Sequence, residues 1–156
     1  MLKIIGIGNT LRGDDGIGPY IINELKNAKL PEAVQLLDIG SDAFSVIDHL
    51  ISEYPVLVID CAQMDKRPGE IVIFEVQEKN LSILEKAISL HGFGFADVYK
   101  MAKILNDNIQ CTIIGVQPKL LRFNSDLSEE VKKSIPSIIK LVIEETNKYV
   151  KKNNNN

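Results

Sequence analysis

Short apolar runs alternate with amphipathic stretches along the 156-residue chain, and the spacing predicts the elements. β-branched or continuously apolar runs predict strands at 2–8, 34–39, 56–61, 71–76 and 111–116. The first and third are nearly unbroken in apolar residues, as central strands covered on both faces should be, and are expected side by side. Helical periodicity predicts helices at 17–28 (inner stripe Tyr20, Ile21, Leu25), after a Ser41 or Asp42 cap (Phe44, Ile47, Leu50, Ile51), at 81–88, at 95–105 and at 127–149. Pro136 lies inside the last, where a kink or break is expected. Arg67-Pro68-Gly69-Glu70 reads as a turn that returns the fourth strand to a sheet edge, antiparallel. The expected fold class is therefore α/β: one three-layer domain over residues 1–150, a mostly parallel twisted sheet of about five strands with helices on both faces. Residues 151–156, Lys-Lys followed by four asparagines, read as a disordered polar tail.

Composition narrows the function classes. A net charge of −3 and 25% charged residues leave no basic stripe for nucleic acid or an anionic membrane. No apolar run approaches the roughly 18 residues that span a bilayer, and no signal-peptide pattern opens the chain, so a cytoplasmic protein is expected. Cys61 and Cys111 stand alone in apolar runs, which argues for reduced core residues.

The chemistry-bearing stretch is Gly6-Ile7-Gly8-Asn9-Thr10-Leu11-Arg12-Gly13-Asp14-Asp15-Gly16-Ile17-Gly18. Leu11 stands where a dinucleotide fingerprint needs its third glycine, and the adjacent acids would repel a pyrophosphate. Paired acids beside flexible backbone suit a cation better. In a mostly parallel sheet Asp15, after the first strand, Asp60, ending the third, and His91, in a later loop, could converge above the strands' carboxyl ends and give nickel or zinc three ligands with open positions. Read alone, the same residues are more simply a helix cap, a turn former and a loop histidine.

Taken together the segments resemble the [NiFe]-hydrogenase maturation endopeptidases. The G-x-G-N-x-L opening with its acidic pair is joined by Val58-Ile59-Asp60-Cys61-Ala62, by His91-Gly92-Phe93-Gly94-Phe95-Ala96-Asp97-Val98 and by Gly115-Val116-Gln117-Pro118, in family order over residues 1 to about 145. The resemblance implies that Asp15, Asp60 and His91 are the catalytic and metal-contacting set. It also implies an endopeptidase that removes the C-terminal extension of a [NiFe]-hydrogenase large-subunit precursor after nickel insertion. The metal is then either a resident ion such as zinc that polarises water or, as preferred here, nickel carried by the substrate. The chain is expected to be a monomer whose partner is that precursor. A non-catalytic metallocentre-binding chaperone is the rival. The chain lacks the H-E-x-x-H helix of ordinary zinc proteases.

Other polar residues have plainer readings. Asp14 is unassigned between a helix-dipole charge and a supporting base. Asp38 is either a substrate contact or a turn residue, with Ile39-Gly40-Ser41 one glycine short of the family's turn. Asn9 reads as an Asx turn, Asp97 as a helix-start acid and His49 as a solvated side chain. A Cys61 nucleophile is disfavoured because strand alternation points it away from Asp60.

Overall fold

The computed structural model describes residues 1–87 and 94–154. Five strands, β1 (Leu2–Gly6), β2 (Val34–Asp38), β3 (Val56–Cys61), β4 (Ile71–Glu75) and β5 (Cys111–Val116), form one sheet in the order β2-β1-β3-β5-β4. All pairings are parallel except β4 with β5, so β4 is the antiparallel edge strand that the Pro68-Gly69 turn predicts. β1 lies beside β3, in register Lys3 to Val56 through Gly6 to Ile59.

Alternation along the central strands divides the core in two. Ile5, Val56, Val58 and Ile113 face a layer made by α2 (Ile47–Leu50), α3 (Leu81–Ala87) and α4 (Phe95–Leu105). Ile4, Leu57, Ile59 and Ile114 face α1 (Ile17–Leu25) and α5 (Glu129–Asn154). This is the expected three-layer α/β domain.

The differences from expectation have local causes. Tyr20 is 42% exposed rather than part of the inner stripe of α1. At about 100° per residue, Ile17, Ile21, Ile22 and Leu25 share a buried arc that leaves Tyr20 on the rim. The second helix is a 3-10 turn, Ala43–Val46, running into the single turn of α2. Asp42 is its cap, accepting from the backbone N–H of Phe44 at 3.1 Å. Pro136 does not break α5, which is continuous. Proline removes the bond to the Lys132 carbonyl and costs about 3 kcal/mol in a helix interior. Val131, Ile138 and Val142 are fully buried, and each contributes about 1.5–3 kcal/mol, enough together to hold the helix. The same helix runs through Lys151 to Asn154, four residues into the stretch read as tail, with both lysines placed to offset its C-terminal dipole.

Candidate functional site

The chain leaves β1 through two close approaches that fix everything after it. Gly8 adopts φ +142°, and its N–H donates to the Gly40 carbonyl at 2.8 Å. A Cβ on Gly18 would lie 2.3 Å from the Ile7 carbonyl oxygen and 2.6 Å from that of Ile59, so the start of α1 rests directly on the ends of β1 and β3. That contact needs a residue without a side chain. It brings the 3-10 turn Gly13–Gly16, which carries Asp14 and Asp15, to the carboxyl ends of two adjacent parallel strands. Connections leave β1 and β3 in opposite directions here, the switch point at which α/β sheets bind ligands.

Both predicted acids are at this place. Asp15 is fully buried and its Oδ2 accepts from the Asn9 N–H at 3.1 Å. Asp60, near the end of β3, is 1% exposed, and its Oδ1 accepts from the Cys61 N–H at 2.7 Å. The third predicted residue, His91, lies outside the described residues. Among the described residues no three His, Cys, Asp or Glu side chains form a metal-sized group.

Cys61 packs with Ile59 and Val116 on the α1/α5 side. Burial pushes its thiol well above the ordinary range, and the charges of Asp60, Asp15 and Asp14 push it further. A thiol so held is a poor nucleophile, because only the thiolate attacks. The charge of Arg12 acts on the thiol in the opposite sense.

Asp14 has a structural role that its sequence position does not reveal. Its Oδ2 accepts from the N–H groups of Lys119 and Leu120, both at 2.8 Å, and from Ser128 Oγ at 2.9 Å. Its Oδ1 accepts from the Ser128 N–H at 2.6 Å. Four donors around one buried carboxylate latch the 119–128 segment to the acid-bearing turn.

Gln117 was missed by the sequence reading as an individual residue. Its Oε1 accepts from the N–H groups of Met64 and Lys66, and its Nε2 donates to Gln63 Oε1, fixing the segment that follows Asp60. A polar amide directly after an apolar run and just before Pro118 is the clue the sequence holds.

Asn9, Asp38 and Asp97 make local contacts to the backbone. Asn9 Oδ1 accepts from the Leu11 N–H and Asp38 Oδ1 from the Gly40 N–H, both as Asx turns. Asp97 caps α4 by accepting from the Gly94 N–H. His49 is not simply solvated. It is half-buried with Nδ1 3.5 Å from Lys3 Nζ, and α2 ends before Glu53. An open cleft of about 490 Å³ runs beside the acid-bearing turn, bordered by Thr10, Gly16, Tyr20, Asp38 and Leu127.

Comparison with solved structures places this architecture among peptidases. A hydrogenase 2 maturation peptidase from a Thaumarchaeota archaeon is 30% identical and superimposes with a TM-score of 0.69, over 94% of this chain and 97% of that one. An endopeptidase from Escherichia coli is 25% identical with a TM-score of 0.80, over 90% and 88%. Residues 19–145 match the family model described as hydrogenase maturation protease. A Methanocaldococcus jannaschii protein assigned by inference to the same activity is 35% identical over 92% of this chain and 86% of its own length. The chain belongs to the hydrogenase maturation protease family. That membership supports cleavage over the non-catalytic chaperone reading.

Proposed function

We propose that the protein is a cytoplasmic, monomeric endopeptidase that trims the C-terminal extension from a [NiFe]-hydrogenase large-subunit precursor once nickel is in place, using Asp15, Asp60 and His91 as the residues that meet the metal. Family membership supports the protease activity. Several relatives are named hydrogenase expression/formation proteins, which supports a hydrogenase subunit as substrate. Among the described residues no helix is long and apolar enough to cross a membrane, in keeping with the proposed compartment.

The observation that carries the assignment of residues is the burial of two carboxylates at the ends of adjacent strands. Carboxylate oxygens gathered at the switch point of an α/β sheet are hard donors placed where such folds bind ligands, so the arrangement suits a cation. Carboxylate oxygens fit a borderline divalent ion, and an imidazole nitrogen from His91 would complete a three-donor face. In this reading the nickel belongs to the substrate. Asp15 and Asp60 engage the ion that the precursor carries, and this contact seats the adjoining tail for hydrolysis. A resident zinc ion at the same donors, supplying Lewis-acid activation of water, is the other role these residues could support.

The test compares nickel-loaded and nickel-free precursor, each incubated with chelator-stripped protein after removal of the chelator, with products weighed by mass spectrometry. Loss of the tail from the loaded form alone is the expected outcome. Efficient cutting of the nickel-free form, dependent on zinc added to the protease, would refute substrate-borne nickel.

A further inference from the structure

Two large apolar side chains stand in solvent beside the acid-bearing turn. Leu11 is 64% exposed and Phe123 63%. They belong to one hydrogen-bonded knot: the Asn124 N–H donates to the Leu11 carbonyl at 2.8 Å, the Gly13 N–H donates to the Ser125 carbonyl at 3.0 Å, and Arg12 pairs with Ser125 as a parallel bridge. Asn124 holds φ +58°, a left-handed conformation that turns the loop sharply just after Phe123. The Asp14 latch anchors both sides of the knot. The two residues are thus presented by ordered backbone.

Two guanidinium groups flank this apolar pair. Arg12 Cζ lies 5.8 Å from the centre of the Phe123 ring, and Arg122 is exposed, with Nε donating to Ser125 Oγ at 3.2 Å. Among the described residues neither arginine is ion-paired to a carboxylate. Two guanidinium groups at the edge of this apolar pair offer donors to carboxylates on a partner, on a chain whose net charge is −3. Phenylalanine and arginine are also among the residues enriched at protein interfaces. Met101, Ile104 and Leu105, also exposed, are near the C-terminal end of α4, which leads to the start of β5 and the opposite end of the sheet from the acids.

Resting on the proposed function, we propose that Leu11 and Phe123, rimmed by Arg12 and Arg122, dock the body of the precursor through an apolar socket bordered by carboxylates. Leu11 lies in the same loop as Asp15, four residues ahead of it, so docking there seats the precursor against the candidate site.

The experiment measures precursor binding and cleavage by the intact wild-type chain and by Phe123→Ser, Leu11→Ser and Arg122→Gln, with circular dichroism checking the fold. Loss of one such anchor should raise Kd and KM about tenfold while leaving kcat at saturation unchanged. Arg122→Gln should also flatten the dependence of KM on salt. Wild-type cleavage with unchanged KM in all three variants overturns the docking surface and leaves the proposed function standing. Failure of the wild type to bind or cut the precursor overturns both. Self-association of the wild type that Phe123→Ser abolishes, with cleavage untouched, assigns the patch to a second copy instead and overturns the proposal.

Discussion

Gly8 and Asp15 are packed backbone to backbone: a Cβ on residue 8 would lie 1.8 Å from the Asp15 carbonyl oxygen. The loop after β1 therefore folds back on itself without room for any side chain at that point.

Gly8→Ala should consequently damage both stability and activity. The φ of +142° is unfavourable for alanine, and the methyl group would displace the turn that carries Asp15. A loss of about 3 kcal/mol or more is expected from strain and displacement together. Denaturant unfolding measures the first effect and precursor cleavage the second. A variant as stable as wild type would overturn the account.

Asp14→Asn should destabilise the fold by about 2–3 kcal/mol, because an amide NH₂ would face backbone donors now accepted by carboxylate oxygens. Proteolytic nicking should rise within residues 119–128 before the rest of the domain opens. Uniform susceptibility along the chain would argue against the latch.

Asp60→Asn and Cys61→Ala separate the two chemistries available at the end of β3. The amide keeps shape but is a much poorer metal ligand, so cleavage should fall about a hundredfold, as is usual when a directly acting group is lost. Cys61→Ala should cut normally, with a small loss of stability from its buried position. A folded Cys61→Ala that cannot cleave would restore the thiol mechanism.

Pro136→Ala should raise the melting temperature, because it returns an N–H to the Lys132 carbonyl within a continuous helix. A gain of about 1–3 kcal/mol is expected, less than the full proline penalty because the native helix has adapted to the ring. A lower melting temperature would mean that the ring itself packs usefully.

His49 contributes a pH dependence whose sign follows from its surroundings. Burial, then the charge of Lys3, lowers its pKa from 6.5, so the unfolded chain binds a proton that the folded chain resists. This contribution is fully present above pH 6.5 and is lost as pH falls through 6.5 toward the folded value. The slope of unfolding free energy against pH just below that point should be smaller in His49→Gln. An identical slope would show that other groups produce it.

The sheet was legible because its evidence is local. Runs such as Val56–Cys61 carry their period within a few residues, and the Pro68-Gly69 turn announces the antiparallel edge. The placement of Asp15 and Asp60 followed from strand ends and topology alone. The roles of Asp14 and Gln117 were not legible, since their partners lie far along the chain and no short window contains both sides of the bond. The continuity of α5 through Pro136 was likewise hidden, because it is decided by burial of Val131, Ile138 and Val142 against the sheet. The exposure of Tyr20 is hidden for a simpler reason: an aromatic residue on the rim of a short helix resembles one on its inner stripe.

The Asp14 bonds to Lys119, Leu120 and Ser128 also impose an order of events during synthesis. The acid-bearing turn leaves the ribosome early, yet the donors that fix it emerge more than a hundred residues later. At about 5–20 residues per second, the turn spends several seconds without its latch. The carboxylate of Asp14 acquires these donors only when the segment leading into α5 has arrived.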